Sequence, residues 1–162
     1  MVDPKIDDTR SAEDRIKLLG IQLPAAPKPF GSYVEAVESA GLLFLSGMLP
    51  VEDHKPKYIG RIGNEFDRLQ GRDAAYTAIL NALSAAREHL GSLDRIIRVI
   101  RLGVFIATSG DALDQPDIAD GASNVLKDIF GESDCGTRLV IGVSSLPFGT
   151  PIELEVILEI RR

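Results

Sequence analysis

The sequence predicts an α+β fold in which two helices cover one face of a single mixed β-sheet. Two segments, residues 73–90 and 116–130, have apolar residues at helical spacing, and a glycine follows each of them. Runs typical of strands lie on both sides of these helices, so the predicted order is β-β-α-β-α-β-β. Two helices and five or six strands in this order favour a two-layer sandwich.

The first 29 residues are expected to form an extension that precedes this sandwich in the chain. Residues 1–10 are polar, and we expect them to be loosely attached. Ser11 and Asp14 have the spacing of a helix N-terminal cap, and Gly20 would end the short helix that follows. Three prolines after it predict an extended connector. We therefore divide the chain into an N-terminal extension, residues 1–29, and one domain, residues 30–162.

A β-hairpin is predicted directly after the extension. Residues 32–38 alternate in polarity, and residues 42–46 form a short apolar run bounded by turns. The stretch 48–68 contains prolines and glycines, which predict a long loop with a brief strand near Tyr58. Further strands are predicted at residues 93–107, 138–146 and 152–160.

The last predicted strand alternates strictly between apolar and polar residues. Its apolar side chains would share one face: Ile152, Leu154, Val156, Leu158 and Ile160. Three carboxylates would share the other: Glu153, Glu155 and Glu159. A second face of mixed character is expected to pack against other subunits, so we expect a homo-oligomer.

Composition limits the classes of function. The chain has 162 residues, of which 44% are hydrophobic and 26% charged, as in ordinary globular proteins. A net charge of −6 argues against a general nucleic-acid binder, which needs a basic surface. No apolar run could cross a bilayer, and the first residues do not resemble a signal peptide. We therefore expect a cytoplasmic protein that binds no nucleic acid and no membrane.

Cysteine and histidine give little support for a redox or metal centre. Cys135 is the single cysteine, so an intramolecular disulfide is impossible, which fits a reducing compartment. A structural or incidental role is the preferred interpretation of this thiol. His54 and His89 have no partner at the spacing of metal ligands, so no metal site is predicted.

Arg138 and Glu153 carry most of the functional information. They are fifteen residues apart, on two predicted strands joined by a Leu-Pro-x-Gly turn. The guanidinium fork of arginine suits a carboxylate ligand, and a carboxylate nearby can orient or deprotonate a water molecule. We expect the two to share a cleft for a small carboxylate-bearing molecule. The alternative is an ordinary ion pair or two solvated charges.

Six segments, in order, carry motifs of one known protein family. They lie at residues 30–37, 42–50, 81–83, 91–96, 104–105 and 137–155. Together they resemble the RidA/YjgF family of imine deaminases, also named the endoribonuclease L-PSP type. The similarity covers roughly residues 30–160, and the spacing of Arg138 and Glu153 matches the family signature. The N-terminal extension and a longer loop after Pro50 place the chain in a longer subgroup.

The resemblance implies a chorismate-mutase-like fold, a homotrimer with clefts between subunits, and a chemistry. Characterised members hydrolyse reactive enamine and imine acids, such as 2-aminoacrylate, to 2-oxo acids and ammonia, without a metal or organic cofactor. By motif position, Arg138 would bind the substrate carboxylate and Glu153 would position the attacking water. Tyr33 would shape the pocket from the neighbouring subunit, and Ser46 and Gly47 would line it.

Some positions depart from the family pattern. Val140 stands where many members carry cysteine, and Met48 replaces the usual glutamine. A site asparagine cannot be assigned between residues 108 and 135, where residues 120–124 are the local candidates. Glu155 could either share the site or pair with a basic group such as Arg101.

Structural roles and other functions are the remaining alternatives. Tyr33 could be a core aromatic residue, and Ser46 with Gly47 could be a strand end and a turn. A trimer that binds a small carboxylate metabolite without catalysis would need Arg138 but not Glu153. Cleavage of RNA, the activity for which some family members are named, is disfavoured by the acidic charge.

Overall fold

The computed structural model describes residues 10–110 and 114–161 of the chain. The predicted α+β class and the order of its elements are confirmed, and one short ribbon, β3–β4, is added. The helices are α1 (Ala12–Leu18), α2 (Arg68–Leu90) and α3 (Gln115–Phe130). The strands are β1 (Ala36–Ser39), β2 (Leu42–Leu45), β3 (Val51–Glu52), β4 (Lys55–Pro56), β5 (Ile96–Ala107), β6 (Thr137–Val143) and β7 (Ile152–Ile160). The prediction for residues 1–10 falls, apart from Arg10, outside the described residues.

Five strands form a mixed sheet in the order β1-β2-β7-β5-β6. All neighbours are antiparallel except β5 and β6, which are parallel and are connected by α3. A parallel pair needs such a crossover, because a tight turn can join only antiparallel strands. Helices α2 and α3 pack against each other and against β7 and β5, so both cover the same face of the sheet.

Strand β7 is the centre of the core. The alternation predicted for it is confirmed, because each of its five apolar side chains is at most 5% exposed and its glutamates point to the other face. Helix α2 can approach this buried face closely because it presents alanines there. The buried alanines of α2 are Ala74, Ala75, Ala78, Ala82, Ala85 and Ala86.

Several predicted boundaries need correction. Helix α2 begins at Arg68, not at residue 73, because Asp67 and Gln70 form a capping box. Residues 32–35 do not belong to β1, and β6 ends at Val143. The brief strand expected near Tyr58 lies at residues 55–56, because Asp53 and His54 both have positive φ (50° and 59°) and close a two-residue hairpin turn.

Helix α1 packs on the same core as the main domain. Ile16 is 4% exposed within the core cluster. Glu13 accepts a hydrogen bond from Arg87 Nε at 3.0 Å and another from the backbone N–H of Leu93 at 3.0 Å. The expected N-terminal cap is confirmed, because the Ser11 hydroxyl accepts from Asp14 N. These contacts hold α1 against the end of α2.

A buried amide ties the loop after β2 to α2. Asn81 is 1% exposed, and its Nδ2 donates to Leu49 O at 2.9 Å and to Val51 O at 3.0 Å. A donor of this kind is needed because buried carbonyl oxygens are costly to leave without partners.

We expect Asn81→Ala to lower the free energy of unfolding by about 1–3 kcal/mol, since it removes the buried amide donor from Val51 O and from Leu49 O, and Leu49 O keeps only the N–H of Val51. Urea unfolding at one fixed protein concentration measures the change. Glu88→Ala, at an exposed position of the same helix, is the control and should cost less than about 0.5 kcal/mol. Equal effects of the two substitutions would contradict the role of Asn81.

Candidate active site

Glu153 is a partly buried carboxylate on the face of the sheet opposite the helices. Among the described residues its side chain makes no hydrogen bond and no ion pair, and burial raises its pKa above the usual value. The carboxylate lies against Gly47, where a Cβ atom would overlap Glu153 Oε1. The Glu153 carboxylate can occupy this space because residue 47 is a glycine and has no side chain.

Ser46 connects this carboxylate to the segment that carries Tyr33. Ser46 N donates to Glu35 O at 2.9 Å, and its hydroxyl donates to Val34 O at 2.6 Å. Tyr33 is 45% exposed, so it is not a core residue, and its hydroxyl accepts from Phe30 N at 3.1 Å. Tyr33, Ser46, Gly47 and Glu153 thus lie on adjoining segments, and we call them the glutamate half-site.

The other carboxylates of β7 are neutralised. Glu155 pairs with Arg101 at 3.1 Å, the partner suggested by the sequence, and Glu159 pairs with Arg98 at 2.9 Å. Glu153 is therefore the glutamate of β7 that has no charged partner among the described residues. A carboxylate that is partly buried and has no cation beside it is typical of functional sites.

Arg138 lies on edge strand β6 and is held by helix α3. Its Nη1 donates to Asp120 Oδ1 at 2.6 Å and to Ser123 Oγ at 3.0 Å. The side chain is 32% exposed, and Nε and Nη2 make no hydrogen bond to another described residue. Two of the five candidates in residues 120–124 thus contact Arg138, and we call Arg138, Asp120 and Ser123 the arginine half-site.

The two half-sites lie on opposite faces of the sheet in one chain. Arg138 is opposite Leu102, which is 1% exposed in the core, and its side chain contacts the helix layer. Glu153 alternates with buried residues and points away from the helices. Arg138 and Glu153 therefore do not share a cleft within a single chain, because the sequence spacing does not specify the facing of two different strands. A cleft that they share between subunits stays a prediction.

An aromatic cluster, not identified from the sequence, lies beside Tyr33. The rings of Phe30 and His54 stack with centroids 4.3 Å apart, and those of Phe30 and Phe148 are 4.8 Å apart. His54 and Phe148 both have positive φ, 59° and 57°. The φ of His54 belongs to the hairpin turn between β3 and β4, whereas that of Phe148 is a costly conformation of the kind that often occurs at functional sites. No short-range pattern predicts the cluster, since its rings come from three loops.

The face that carries Glu153 also exposes apolar side chains, as expected for a second face of mixed character. Val37 and Phe44 are 50% and 40% exposed, and Leu139 and Ile141 are 36% and 39% exposed. Val37 and Phe44 are cross-strand partners, and so extend one apolar surface across β1 and β2. Exposed apolar patches of this kind mark interaction sites in soluble domains.

Two other classes of site receive no support from the described residues. In residues 10–110 and 114–161 no group of three or more histidine, cysteine or carboxylate side chains could hold a metal ion. Within the same part of the chain no helix has both the length and the apolar character needed to span a membrane.

Comparisons with known proteins identify the family. The family described as "YjgF/chorismate mutase-like, putative endoribonuclease" matches residues 13–157, so the match begins inside α1. Protein TCP17 of Trypanosoma cruzi is 37% identical over 147 residues, which cover 90% of this chain and 91% of that protein. A 2-iminobutanoate/2-iminopropanoate deaminase of Dermatophagoides farinae is 30% identical over 140 residues, with coverage of 86% and 94%.

A solved structure shows the same fold. The crystal structure of a protein of unknown function from Agrobacterium tumefaciens superposes with a TM-score of 0.84 and 35% sequence identity, covering 93% of this chain and 92% of that one. Sequence and structure thus agree over nearly the whole chain, with the mixed sheet and helix layer described above. The chain belongs to the RidA/YjgF family.

Proposed function

We propose that this protein hydrolyses reactive 2-imino and enamine acids to 2-oxo acids and ammonia. The observation that carries the proposal is Glu153, an uncompensated carboxylate whose pKa is raised by burial. A carboxylate with a raised pKa exchanges a proton with a reacting group more readily than one of ordinary acidity. The name of the Dermatophagoides farinae relative, an imine deaminase, supports the same chemistry.

The proposed reaction needs one orienting cation and one proton carrier. The Nε and Nη2 groups of Arg138 bind the substrate carboxylate. Glu153 takes a proton from a water molecule as its oxygen attacks the imine carbon, and the C=N bond becomes a C–N single bond. Glu153 then gives this proton to nitrogen, which forms a neutral carbinolamine. The hydroxyl proton of the carbinolamine next passes through Glu153 to the amino group, the C–N bond breaks, and ammonia and the 2-oxo acid are released. An enamine first accepts a proton at its terminal carbon and loses one from nitrogen to become the imine.

The endoribonuclease and binding-only alternatives differ in support. No observation on the described residues favours RNA cleavage. A trimer that only binds a carboxylate metabolite would need Arg138 but not Glu153, and Val140 departs from the cysteine that many family members carry at this position. The experiment on Glu153 below separates binding from catalysis.

We propose further that the active cleft is completed between subunits of a homotrimer. The support is geometric, since Arg138 and Glu153 face opposite sides of the sheet in one chain and can meet only across chains. The exposed apolar surface that includes Val37 and Phe44 supplies a face that association could bury.

Phe44→Lys should dissociate the trimer and reduce imine hydrolysis at least tenfold, because a charge in a buried apolar contact is costly. Sedimentation velocity at micromolar concentration measures the assembly. Leu69→Lys, at an apolar position of α2 that is 59% exposed, is the matched control and should remain trimeric and active. A wild-type chain that sediments as an active monomer would refute the shared cleft.

Glu153→Gln should lower kcat for 2-iminobutanoate by about 10²- to 10⁴-fold, the range expected when a general base is lost. An amino-acid oxidase generates the imine, and semicarbazide traps what the protein leaves unhydrolysed. Glu159→Gln, on the same strand and face, should change kcat by no more than a few fold. Calorimetric binding of 2-oxobutanoate should survive in both variants.

Two results of the same experiment would change the conclusion. Wild-type protein that binds 2-oxobutanoate but hydrolyses no imine would favour the binding trimer. Equal loss in Glu153→Gln and Glu159→Gln would show that the effect is structural, and Glu153 would lose its assigned role.

Glu153 should also cost the folded state some stability at neutral pH. Burial raises the pKa of Glu153, so the charged form of its side chain is disfavoured in the folded chain. Glu153→Gln should therefore raise Tm at every pH above that raised pKa. The advantage should shrink as pH falls through the raised pKa and vanish below the ordinary value of 4.5, where both side chains are neutral. Thermal scans from pH 4 to 8 at fixed protein concentration measure this, and a pH-independent difference would contradict it.

A further inference from the structure

Arg138 is fixed by α3 in a specific orientation. Both recorded hydrogen bonds of its side chain use Nη1, with Asp120 Oδ1 at 2.6 Å and Ser123 Oγ at 3.0 Å. The Ser123 hydroxyl donates its own proton to Ala119 O at 3.2 Å, so its oxygen is free to accept from the guanidinium. The Nε and Nη2 groups make no hydrogen bond to another described residue and are available to bind a ligand.

Helix α3 is itself held firmly at this point. Gly121 lies so close to α2 that a Cβ atom there would overlap Arg72 O, and Asp117 pairs with Arg72 Nη1 at 2.6 Å. Arg68 pairs with the same carboxylate. Asp120 therefore projects from a rigid part of the helix, between two anchored positions.

We infer that Asp120 determines which acids the site accepts: it positions Arg138 for one carboxylate and rejects substrates that carry a second. This inference rests on the proposed function and adds a substrate class to it, the 2-imino monocarboxylic acids. Asp120 is a positioning and selectivity residue here, because it acts on Arg138 and does not touch the reacting carbon.

The positioning role follows from the hydrogen-bonding geometry of arginine. A guanidinium binds a carboxylate best through two parallel N–H groups, and occupation of Nη1 leaves Nε and Nη2 as such a pair. Because Asp120 already holds the Arg138 side chain in place, less side-chain conformational entropy is lost when a substrate binds.

The selectivity follows from charge. Asp120 compensates the guanidinium, so after one carboxylate has bound, the local charge is negative and a second carboxylate is repelled. A merely structural ion pair would show its effect in the stability of the protein and not in its preference between substrates. Arg138 and Asp120 are 32% and 41% exposed, and exposed pairs contribute little to stability.

Hydrolysis of two imines that differ by one carboxylate tests the inference. Oxidases acting on 2-aminobutanoate and on glutamate supply 2-iminobutanoate and 2-iminoglutarate, with semicarbazide as the trap. Wild-type protein should favour 2-iminobutanoate in kcat/KM by at least about tenfold. Asp120→Asn keeps an oxygen acceptor for Nη1 but removes the charge, so this preference should fall about tenfold while KM for 2-iminobutanoate changes little.

Two further variants separate selectivity from other effects. Asp120→Ala removes the acceptor too and should raise KM for 2-iminobutanoate about tenfold with kcat nearly unchanged. Asp128→Asn makes the same charge change on the same helix, about two turns from Asp120, and should leave the preference at the wild-type value. Loss of the preference in Asp128→Asn as well would make it a bulk charge effect and overturn the inference.

The outcomes distinguish this inference from the proposed function. If wild-type protein hydrolyses both imines and Asp120→Asn keeps the wild-type preference, the role of Asp120 is refuted and the deaminase proposal stands. If wild-type protein hydrolyses neither, the deaminase proposal fails. The role of Asp120 is then tested by calorimetry, as the ratio of the affinities for 2-oxobutanoate and 2-oxoglutarate. An unchanged binding ratio in Asp120→Asn would then overturn the inference.

Discussion

The alternation of strand β7 is the constraint on which the rest of this structure depends. Its five apolar side chains enter the core beneath the alanine-rich face of α2, and its glutamates are forced to the opposite face. Because β7 pairs with both β2 and β5, this choice of faces extends to the neighbouring strands. A shift of the register by one residue would bury three carboxylates, so the core itself holds Glu153 in position.

Rigid elements support both half-sites. Gly47 leaves room for the Glu153 carboxylate, and the hydrogen bonds of Ser46 hold the segment that leads to Tyr33. On the other side of the sheet, α3 is anchored to α2 around Gly121 and holds Asp120 against Arg138. Sites built on strands and packed helices keep their geometry better than sites on loops. The aromatic cluster of Phe30, His54 and Phe148, in contrast, is built on loops.

Charge compensation explains why the carboxylates of one strand differ. Glu155 and Glu159 each have an arginine partner, whereas burial without such a partner raises the pKa of Glu153. A carboxylate of this kind disfavours the folded state at neutral pH, and such groups are often found at functional sites. The arginine half-site shows the reverse arrangement, since Arg138 is compensated by Asp120 before any ligand binds.

The sequence alone determined the features that depend on neighbouring residues. The limits of β7 and its two faces, the end of α2 at Gly91 and the extent of α3 followed from local periodicity and caps, and family likeness pointed to Arg138 and Glu153. Only the tertiary structure decided that these two side chains face opposite ways, that Asp120 and Ser123 hold the guanidinium, and that Phe30, His54 and Phe148 meet. The physical reason is that periodicity is a property of one segment, whereas contacts between distant segments depend on strand register and helix packing, which no short stretch of sequence encodes.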